Sequence, residues 1–221
     1  MTLSILSPAE TRVLGVLVEK EKTVPDIYPL SLNALTAGCN QKNNRDPLLS
    51  LTEGEVQAAI DRLKPMSLVI ESSGSRVMRY SENVQRVLKV PTEAVALLAT
   101  LWLRGPQTAA ELRSASERLH RFADVSSVEG YLEELATRPA EQGGPLVTLL
   151  ARRPGSREPR WAHLLSGTPA EEAAPADAPV ATSGSGGLAE LREEVRRLSE
   201  EVARLKDQVQ RLVTARDGGP S

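Results

Sequence analysis

The spacing of apolar residues changes from helical to strand-like between residues 32 and 80. Four apolar residues recur at three- and four-residue spacings and predict one face of an α-helix: Val56, Ala59, Ile60 and Leu63. Thr52 and Glu55 form a capping box that begins this helix. Two β-rich runs, 68–71 and 77–80, then flank a turn of Ser and Gly residues, which predicts a β-hairpin.

Two more helices are predicted before this one. Ser7 and Glu10 form a capping box with a proline between them, so a helix begins there. Ser31 is the expected N-cap of a second helix, which leads into a polar loop at 40–51. Helix–turn–helix followed by a hairpin is the order of a winged helix, and we assign residues 1–90 to a first winged-helix domain.

The same order of elements recurs in residues 91–166. A nearly all-apolar run at 92–103 predicts a buried helix, and a Thr-Ala-Ala-Glu capping box at 108–111 begins the next one. We expect a third helix to begin with a Ser-Ser-Val-Glu box at 126–129, followed by a hairpin over 146–164. The predicted fold class is therefore mainly α with small β-hairpins (α+β), arranged as two tandem winged-helix domains.

The remaining chain has two distinct compositions. Residues 167–187 are rich in Ala, Pro, Gly and Ser, which predicts a disordered linker. From 188 to 215, apolar residues follow the heptad pattern of a coiled coil, and β-branched residues at a with Leu at d favour a parallel dimer. The predicted dimerisation residues are Leu191, Val195, Leu198, Val202, Leu205, Val209 and Leu212. The alternative is one amphipathic helix that folds back on the protein's own surface.

Charge argues against strong nonspecific binding to DNA. The 221-residue chain has a formal net charge of −2. Residues 1–90 carry 11 basic and 10 acidic side chains, and residues 91–168 carry nine of each. The acidic excess lies in the tail, so neither predicted domain is a basic domain.

The sequence contains no recognisable pattern of an enzyme. Cys39 is the single cysteine, which excludes an internal disulfide and is typical of a reducing cytoplasm; we interpret it as a core residue. Two scattered histidines, His120 and His163, do not predict a metal site. Phosphate-loop, nucleophile-elbow and zinc motifs are absent, so we predict a non-enzymatic protein without a cofactor.

No apolar run of about 18 residues and no signal peptide is recognised, which predicts a cytoplasmic protein without a membrane partner.

One group of candidate nucleic-acid contacts lies in the polar loop: Lys42, Asn43, Asn44 and Arg45. Side chains of these types dominate protein contacts to phosphate. The alternative is a long turn in which Asn and Asp side chains bond to nearby backbone groups.

A second group lies on the helix at 53–63, where Gln57 and Arg62 are candidates for base contacts. Three glutamates on the corresponding helix of the second domain, together with the acidic start of this one, argue against ordinary major-groove recognition: Glu129, Glu133 and Glu134.

The third group consists of arginines on or beside the two hairpins: Arg76, Arg79, Arg152, Arg153, Arg157 and Arg160. Basic hairpins can follow the phosphate backbone or enter the minor groove. Equally, exposed strand edges carry basic residues to prevent edge-to-edge aggregation. Both interpretations remain open for this group.

Two segments resemble one protein family. The run PLSLNALTAGCNQKNNRDP at 29–47 and the run LLATLWLRGPQTAAELR at 97–113 are similar to the YceH family of uncharacterised bacterial proteins. The match spans about residues 3–166, and the Asn-rich loop together with the Arg-Gly-Pro-Gln-Thr turn makes it specific. The resemblance implies tandem winged helices, and it implies no activity, substrate or catalytic residue.

These features together predict a DNA-binding protein, similar to transcription regulators, that forms a homodimer through its tail and takes double-stranded DNA as its partner. The alternative is a protein–protein interaction adaptor, because tandem winged helices also serve as docking modules in chromosome-condensation complexes. Near-neutral charge and acidic helices favour the adaptor, whereas the usual role of winged helices favours DNA. A metabolite effector between the two domains is left open, but no residue in the sequence identifies one.

Overall fold

A buried helix, α1 (Pro8–Thr23), packs against elements from both halves of the fold, residues 5–90 and 91–168. The computed structural model describes residues 5–73, 77–152 and 157–168. The predicted capping box is confirmed: the Ser7 N–H donates to Glu10 Oε2 at 2.8 Å, and the Glu10 N–H donates to Ser7 Oγ at 3.3 Å. Residues 10–18 are all buried, so α1 is covered on every side over this stretch. A helix buried all round belongs to the core and not to the surface.

The first half continues with short elements around α1. In chain order they are a 3₁₀ turn (Pro25–Ile27), β1 (Leu30–Ser31), α2 (Leu32–Cys39), α3 (Glu53–Leu63), β2 (Val69–Ser73), β3 (Met78–Glu82) and α4 (Val84–Leu88). The predicted N-caps Ser31 and Thr52 are confirmed, since their hydroxyls accept the N–H groups of Ala34 and Glu55. The hairpin β2–β3 is also confirmed, with Glu71 paired to Tyr80.

One strand of the first sheet was not predicted from the sequence. β1 pairs antiparallel with β3, with Leu30 opposite Tyr80, so the three strands lie in the order β1-β3-β2. Two residues are too few to produce the alternating pattern by which a strand is recognised. β1 exists because its backbone pairs with a strand almost 50 positions later in the chain.

The second half repeats this order with shorter strands. It contains α5 (Thr92–Arg104), α6 (Ala109–Ala115), α7 (Val125–Ala136), a 3₁₀ turn (Ala140–Gln142), β4 (Val147–Leu149) and β5 (Trp161–His163). Strands β4 and β5 pair antiparallel, and Gln107 forms a single β-bridge with Trp161. Gln107 therefore corresponds to β1 of the first half, because each precedes the second helix of its half and pairs with the last strand.

The expected beginning of α7 is wrong by two residues. The capping box at 108–111 is confirmed, but the box expected at 126–129 does not form. Instead Asp124 is the N-cap, and its Oδ1 accepts the Ser127 N–H at 2.8 Å. Asp is as good an N-cap as Ser, and the chain already turns at Asp124, so Ser126 lies inside the first helical turn.

The two halves share one core. Buried residues of α1 and α5 belong to the same apolar cluster, and Gly15 of α1 lies so close to α5 that an added Cβ would be 2.8 Å from Leu103 Cγ. All described residues belong to one compact unit, Met1–Ala174. The described part of the chain is thus a mixed α+β structure with seven α-helices and two small antiparallel sheets.

Candidate nucleic-acid interface

The loop between α2 and α3 is closed by an asparagine side chain. Asn40 Nδ2 donates to the Leu51 carbonyl at 2.7 Å, and Asn40 Oδ1 accepts the Leu51 N–H at 2.7 Å. These two bonds join the first and last residues of the loop, as expected of a turn stabilised by its own Asn side chains. Farther along, the Asp46 N–H donates to the Leu103 carbonyl at 2.8 Å, so the loop also connects the first half to the end of α5.

A buried arginine, Arg12, which was not predicted from the sequence, supports the loop from within. Arg12 is 1 % exposed, and its Nη1 and Nη2 atoms donate to the carbonyls of Cys39 and Pro47 at 3.1 and 2.6 Å. Burial lowers the pKa of Arg12, and the charge of Arg45 lowers it further. One feature of the sequence could have indicated its burial: Arg12 is the one basic residue in the stretch 10–18, whose apolar residues predict a core helix.

Arg45 also lies in the interior, although the sequence suggested an exposed phosphate contact. Its side chain is 0 % exposed. The guanidinium pairs with both carboxylate oxygens of Glu19, Nη1 to Oε1 at 3.2 Å and Nη2 to Oε2 at 2.6 Å. It also donates to the Gly38 carbonyl and to Gln41 Oε1. Because these bonds occupy it, Arg45 is a structural residue here, and we remove it from the set of nucleic-acid contacts.

The remaining candidates of the loop lie at its tip and are exposed: Lys42, Asn43 and Asn44. Asn44 has a φ of 59°, in the left-handed region that Asn tolerates better than most residues. This turn leaves the polar ends of three consecutive side chains in solvent while the next residue, Arg45, is directed inward. The loop therefore has a structural base and an exposed polar tip.

Both candidates on α3 already have partners. Gln57 Nε2 donates to Asp61 at 3.0 Å, and Gln57 Oε1 accepts from the Tyr80 hydroxyl at 3.1 Å. The Arg62 Nε atom is 2.8 Å from the carboxylate of Glu10, which is buried in α1. Arg62 thereby neutralises a buried charge while its own side chain stays 62 % exposed. The exposed surface of α3 also carries acidic residues: Glu53, Glu55 and Asp61.

Some of the hairpin arginines contact other groups of the protein, and others are exposed. Arg79 Nη1 donates to the Pro29 carbonyl at 2.7 Å, so this side chain fixes the segment before β1. Arg160 is 3.9 Å from Glu111 of α6. Arg152 and Arg157 are exposed. Two further candidates, Arg76 and Arg153, lie outside the described residues.

Cys39 is a core residue, as the sequence indicated. It is 0 % exposed, and burial raises the pKa of its thiol to about 12 although Arg12 and Arg45 oppose the rise.

Within the described ranges, no group of three or more His, Cys, Asp or Glu residues is arranged to hold a metal ion. Among the described helices, none combines the length and apolarity needed to cross a membrane. The predicted dimerisation residues, 191–212, lie outside the described part of the chain.

Comparison with known proteins identifies relatives that cover most of the chain. A family model described as "Protein of unknown function, DUF480" matches residues 6–156. A UPF0502 protein of Leptothrix cholodnii is 66 % identical over 162 residues, which are 73 % of this chain and 71 % of that protein. A UPF0502 protein of Methylibium petroleiphilum is 59 % identical over 198 residues, 89 % of this chain and 83 % of that protein. These matches agree with the YceH-like resemblance, and the chain belongs to the DUF480/UPF0502 family of bacterial proteins.

Proposed function

We propose that the chain is a tandem winged-helix protein that binds double-stranded DNA. The observation that carries this proposal is the repeated order of elements. In each half a helix is followed by a short strand or bridge, two helices and a hairpin, and the last strand pairs with the first. We infer from this order that the third helix and the hairpin of each half lie along the duplex.

The contacts of this proposal are directed mainly to phosphate. The exposed faces of α3 and α7 are acidic, so neither helix is suited to lie deep between two phosphate strands. The exposed polar groups that remain are at the loop tip and the second hairpin: Lys42, Asn43, Asn44, Arg152 and Arg157. For Gln57, Arg62, Arg79 and Arg160, a DNA contact would have to replace the protein contacts described above.

The test is binding of the full chain to a pool of genomic DNA fragments at two salt concentrations. We expect enrichment of discrete sites and weaker binding at the higher salt, because phosphate contacts release counterions. Lys42→Gln should reduce the slope of log affinity against log salt by about 1. Arg86→Gln, a change at an exposed arginine of α4 away from the proposed contacts, is the matched control. Absence of enrichment even at low salt would overturn the proposal.

Dimerisation through residues 188–215 belongs to the same proposal. A dimer places two copies of the fold on one duplex, which raises affinity without any new contact. Sedimentation of the full chain should give a dimer, and a chain ending at residue 166 should give a monomer. A monomeric full chain at the concentrations used for DNA binding would rule out this part of the proposal.

An adaptor function is the second candidate, and the acidic faces of α3 and α7 favour it. On α7 the exposed carboxylates are Glu129, Glu133 and Glu134. A surface of this sign fits a basic protein segment and repels DNA. Reversing the charge with Glu129→Lys and Glu133→Lys should strengthen DNA binding if α7 faces a duplex. If α7 instead holds a basic partner, the same change should abolish that complex.

A further inference from the structure

A concave site lies where the tip of the loop approaches the second half. The cleft has a volume of about 350 Å³, within the range of about 300–1,000 Å³ typical of small-molecule sites. Its walls come from α1, from the loop residues 41–44, from α5 and from the segment after α6. The site is therefore formed by both halves, and each half contributes part of its lining.

Positive charge predominates in this cleft. The basic residues that line it are Lys20, Lys42, Arg104 and Arg118. Glu19 is the one carboxylate among its described lining residues, and both of its oxygens are bound by the buried Arg45. Lys20 is also close to Glu19, at 3.5 Å. Because the charge of Glu19 is already balanced by the buried Arg45, the charges of Lys42, Arg104 and Arg118 determine which ligands the cleft attracts.

The partial burial of Arg104 and the lack of a bonding partner for its guanidinium within the described part of the chain indicate a ligand. It is half-buried at the end of α5, and no hydrogen bond or ion pair to its guanidinium is found among the described residues. Burial lowers the pKa of Arg104, since the charged form has lost part of its hydration, and this effect outweighs the opposing charge of Glu19. A partly desolvated guanidinium gains more from an anion than an exposed one does, and its planar fork matches the oxygens of a phosphoryl group.

The other walls are suited to the non-ionic part of such a ligand. Val24, Leu103 and Leu119 supply apolar surface, and Asn43 and Asn44 supply amide groups next to Lys42. A site with apolar walls and a few convergent polar groups binds a small molecule with defined orientation. We propose that this cleft binds a small phosphorylated metabolite, with its phosphoryl group between Lys42, Arg104 and Arg118.

Such a ligand would act on the junction between the two halves. The loop that contributes Lys42 is tied to α5 by the bond from the Asp46 N–H to the Leu103 carbonyl, one residue before Arg104. A phosphoryl group that contacts both Lys42 and Arg104 adds a second connection across this junction. Lys42, Asn43 and Asn44 are shared with the proposed DNA contacts, but Arg104 and Arg118 are not, so the inference does not rest on DNA binding and is tested through these two arginines.

The experiment is calorimetric titration of the full chain, freed of nucleic acid, with inorganic phosphate, pyrophosphate and AMP, and with citrate as a carboxylate of similar charge. We expect saturable binding of a phosphorylated probe with a Kd of about 1 mM or tighter. Arg104→Gln should weaken it by about tenfold or more, since hydrogen bonds to charged groups are among the strong ones. Arg104→Lys should restore part of the affinity, and Arg86→Gln should leave it unchanged.

Three results would overturn the inference. They are no saturable binding of any of the three phosphorylated probes, equal binding of citrate and pyrophosphate, or unchanged affinity in Arg104→Gln. If Arg104→Gln does not fold, the exposed Arg118→Gln provides the same comparison. A short DNA duplex is titrated in parallel: if Arg118→Gln weakens the duplex and no small probe binds, the cleft is part of a DNA surface. Binding of pyrophosphate without any duplex binding supports the inference while contradicting the proposed function.

Discussion

At the scale of single residues, the ion pair between Arg45 and Glu19 determines how the loop responds to pH. Burial alone raises the pKa of Glu19, but the hydrogen bonds and charge of Arg45 outweigh it, and the net pKa lies below the ordinary value of 4.5. A lowered carboxyl pKa stabilises the folded state above the unfolded pKa, and that stability is lost as pH falls through the folded pKa. The pair therefore contributes fully at neutral pH.

We predict that Arg45→Ala lowers the free energy of unfolding by about 2–4 kcal/mol at neutral pH, because it leaves a partly buried carboxylate without its partner. In the variant Lys20 still lies beside Glu19, but the larger effect of Arg45 is gone, so burial raises the pKa of Glu19 and the variant recovers relative stability in acid. Urea unfolding at pH 7 and pH 4 measures both effects. Lys42→Ala, at the exposed tip of the same loop, should change stability by less than about 0.5 kcal/mol. An equal loss in both variants would contradict the assignment of Arg45 to the interior.

A second prediction concerns His163 in β5. Its Nδ1 atom is buried without a hydrogen-bond partner among the described residues, and burial lowers the pKa of this histidine to about 4. Between pH 6.5 and 4 the unfolded chain therefore binds a proton that the folded chain does not, so stability should fall as pH falls through this window. Proton NMR of the imidazole should show a titration midpoint near 4, with His120→Gln used to assign the signal. A midpoint near 6.5 would show that the ring is solvated.

At the residue scale, features with a local cause could be predicted from the sequence. Ser7, Thr52 and Thr108 begin helices because each caps an N–H three residues away, and such bonds are visible in the sequence. Arg45 and Arg12 are different, since their partners are carbonyls and a carboxylate up to 35 positions distant. Nothing in the neighbouring residues distinguishes a buried arginine of this kind from a phosphate contact.

At the scale of elements, the crossing of α1 and α5 depends on the absence of a side chain at one position. A Cβ on Gly15 would lie 2.8 Å from Leu103 Cγ and 2.9 Å from Leu103 Cδ2. We predict that Gly15→Ala lowers the free energy of unfolding by about 1–3 kcal/mol, because the added methyl group overpacks the crossing. Chemical denaturation of the full chain measures the change.

The matched control is Gly130→Ala, also within a helix. Nothing lies within 4 Å of a Cβ added at Gly130 of α7. Alanine costs less conformational entropy than glycine in a helix, so this change should stabilise the protein by about 0.5–1 kcal/mol. Opposite signs for the two substitutions would support the close approach of α1 and α5. The same sign for both would mean that helix propensity, and not packing, determines the effect at Gly15.

Prediction of the elements was good for the helices and weaker for the strands. The helices could be located because their apolar periodicity and caps are contained in one segment. Strand β1 and the bridge at Gln107 could not, since each is created by pairing with a strand about 50 residues away. The tight contact at Gly15 was equally hidden, because a glycine in a helix pattern does not indicate which helix approaches it.

At the scale of the whole molecule, the structure joins two segments that were predicted as separate domains. Buried residues of both halves belong to one apolar cluster, and the loop bonds to α5. Elements that share a core are expected to unfold in one cooperative transition. Both tryptophans, Trp102 and Trp161, lie in the second half, so their fluorescence reports directly on the unfolding of that half.

This placement of the tryptophans allows a direct test of cooperativity with a substitution in the first half. Leu35 of α2 is 0 % exposed, and Leu35→Ala should lower the free energy of unfolding by about 2–5 kcal/mol through loss of apolar burial and a cavity. If the halves unfold together, the midpoint of urea unfolding detected by tryptophan fluorescence shifts by the full amount. Leu112→Ala, at an equally buried position of α6, is the control within the second half. If the tryptophan-detected midpoint moves for Leu112→Ala and not for Leu35→Ala, the halves are independent domains, and a ligand at their junction would then act by fixing two separately folded bodies.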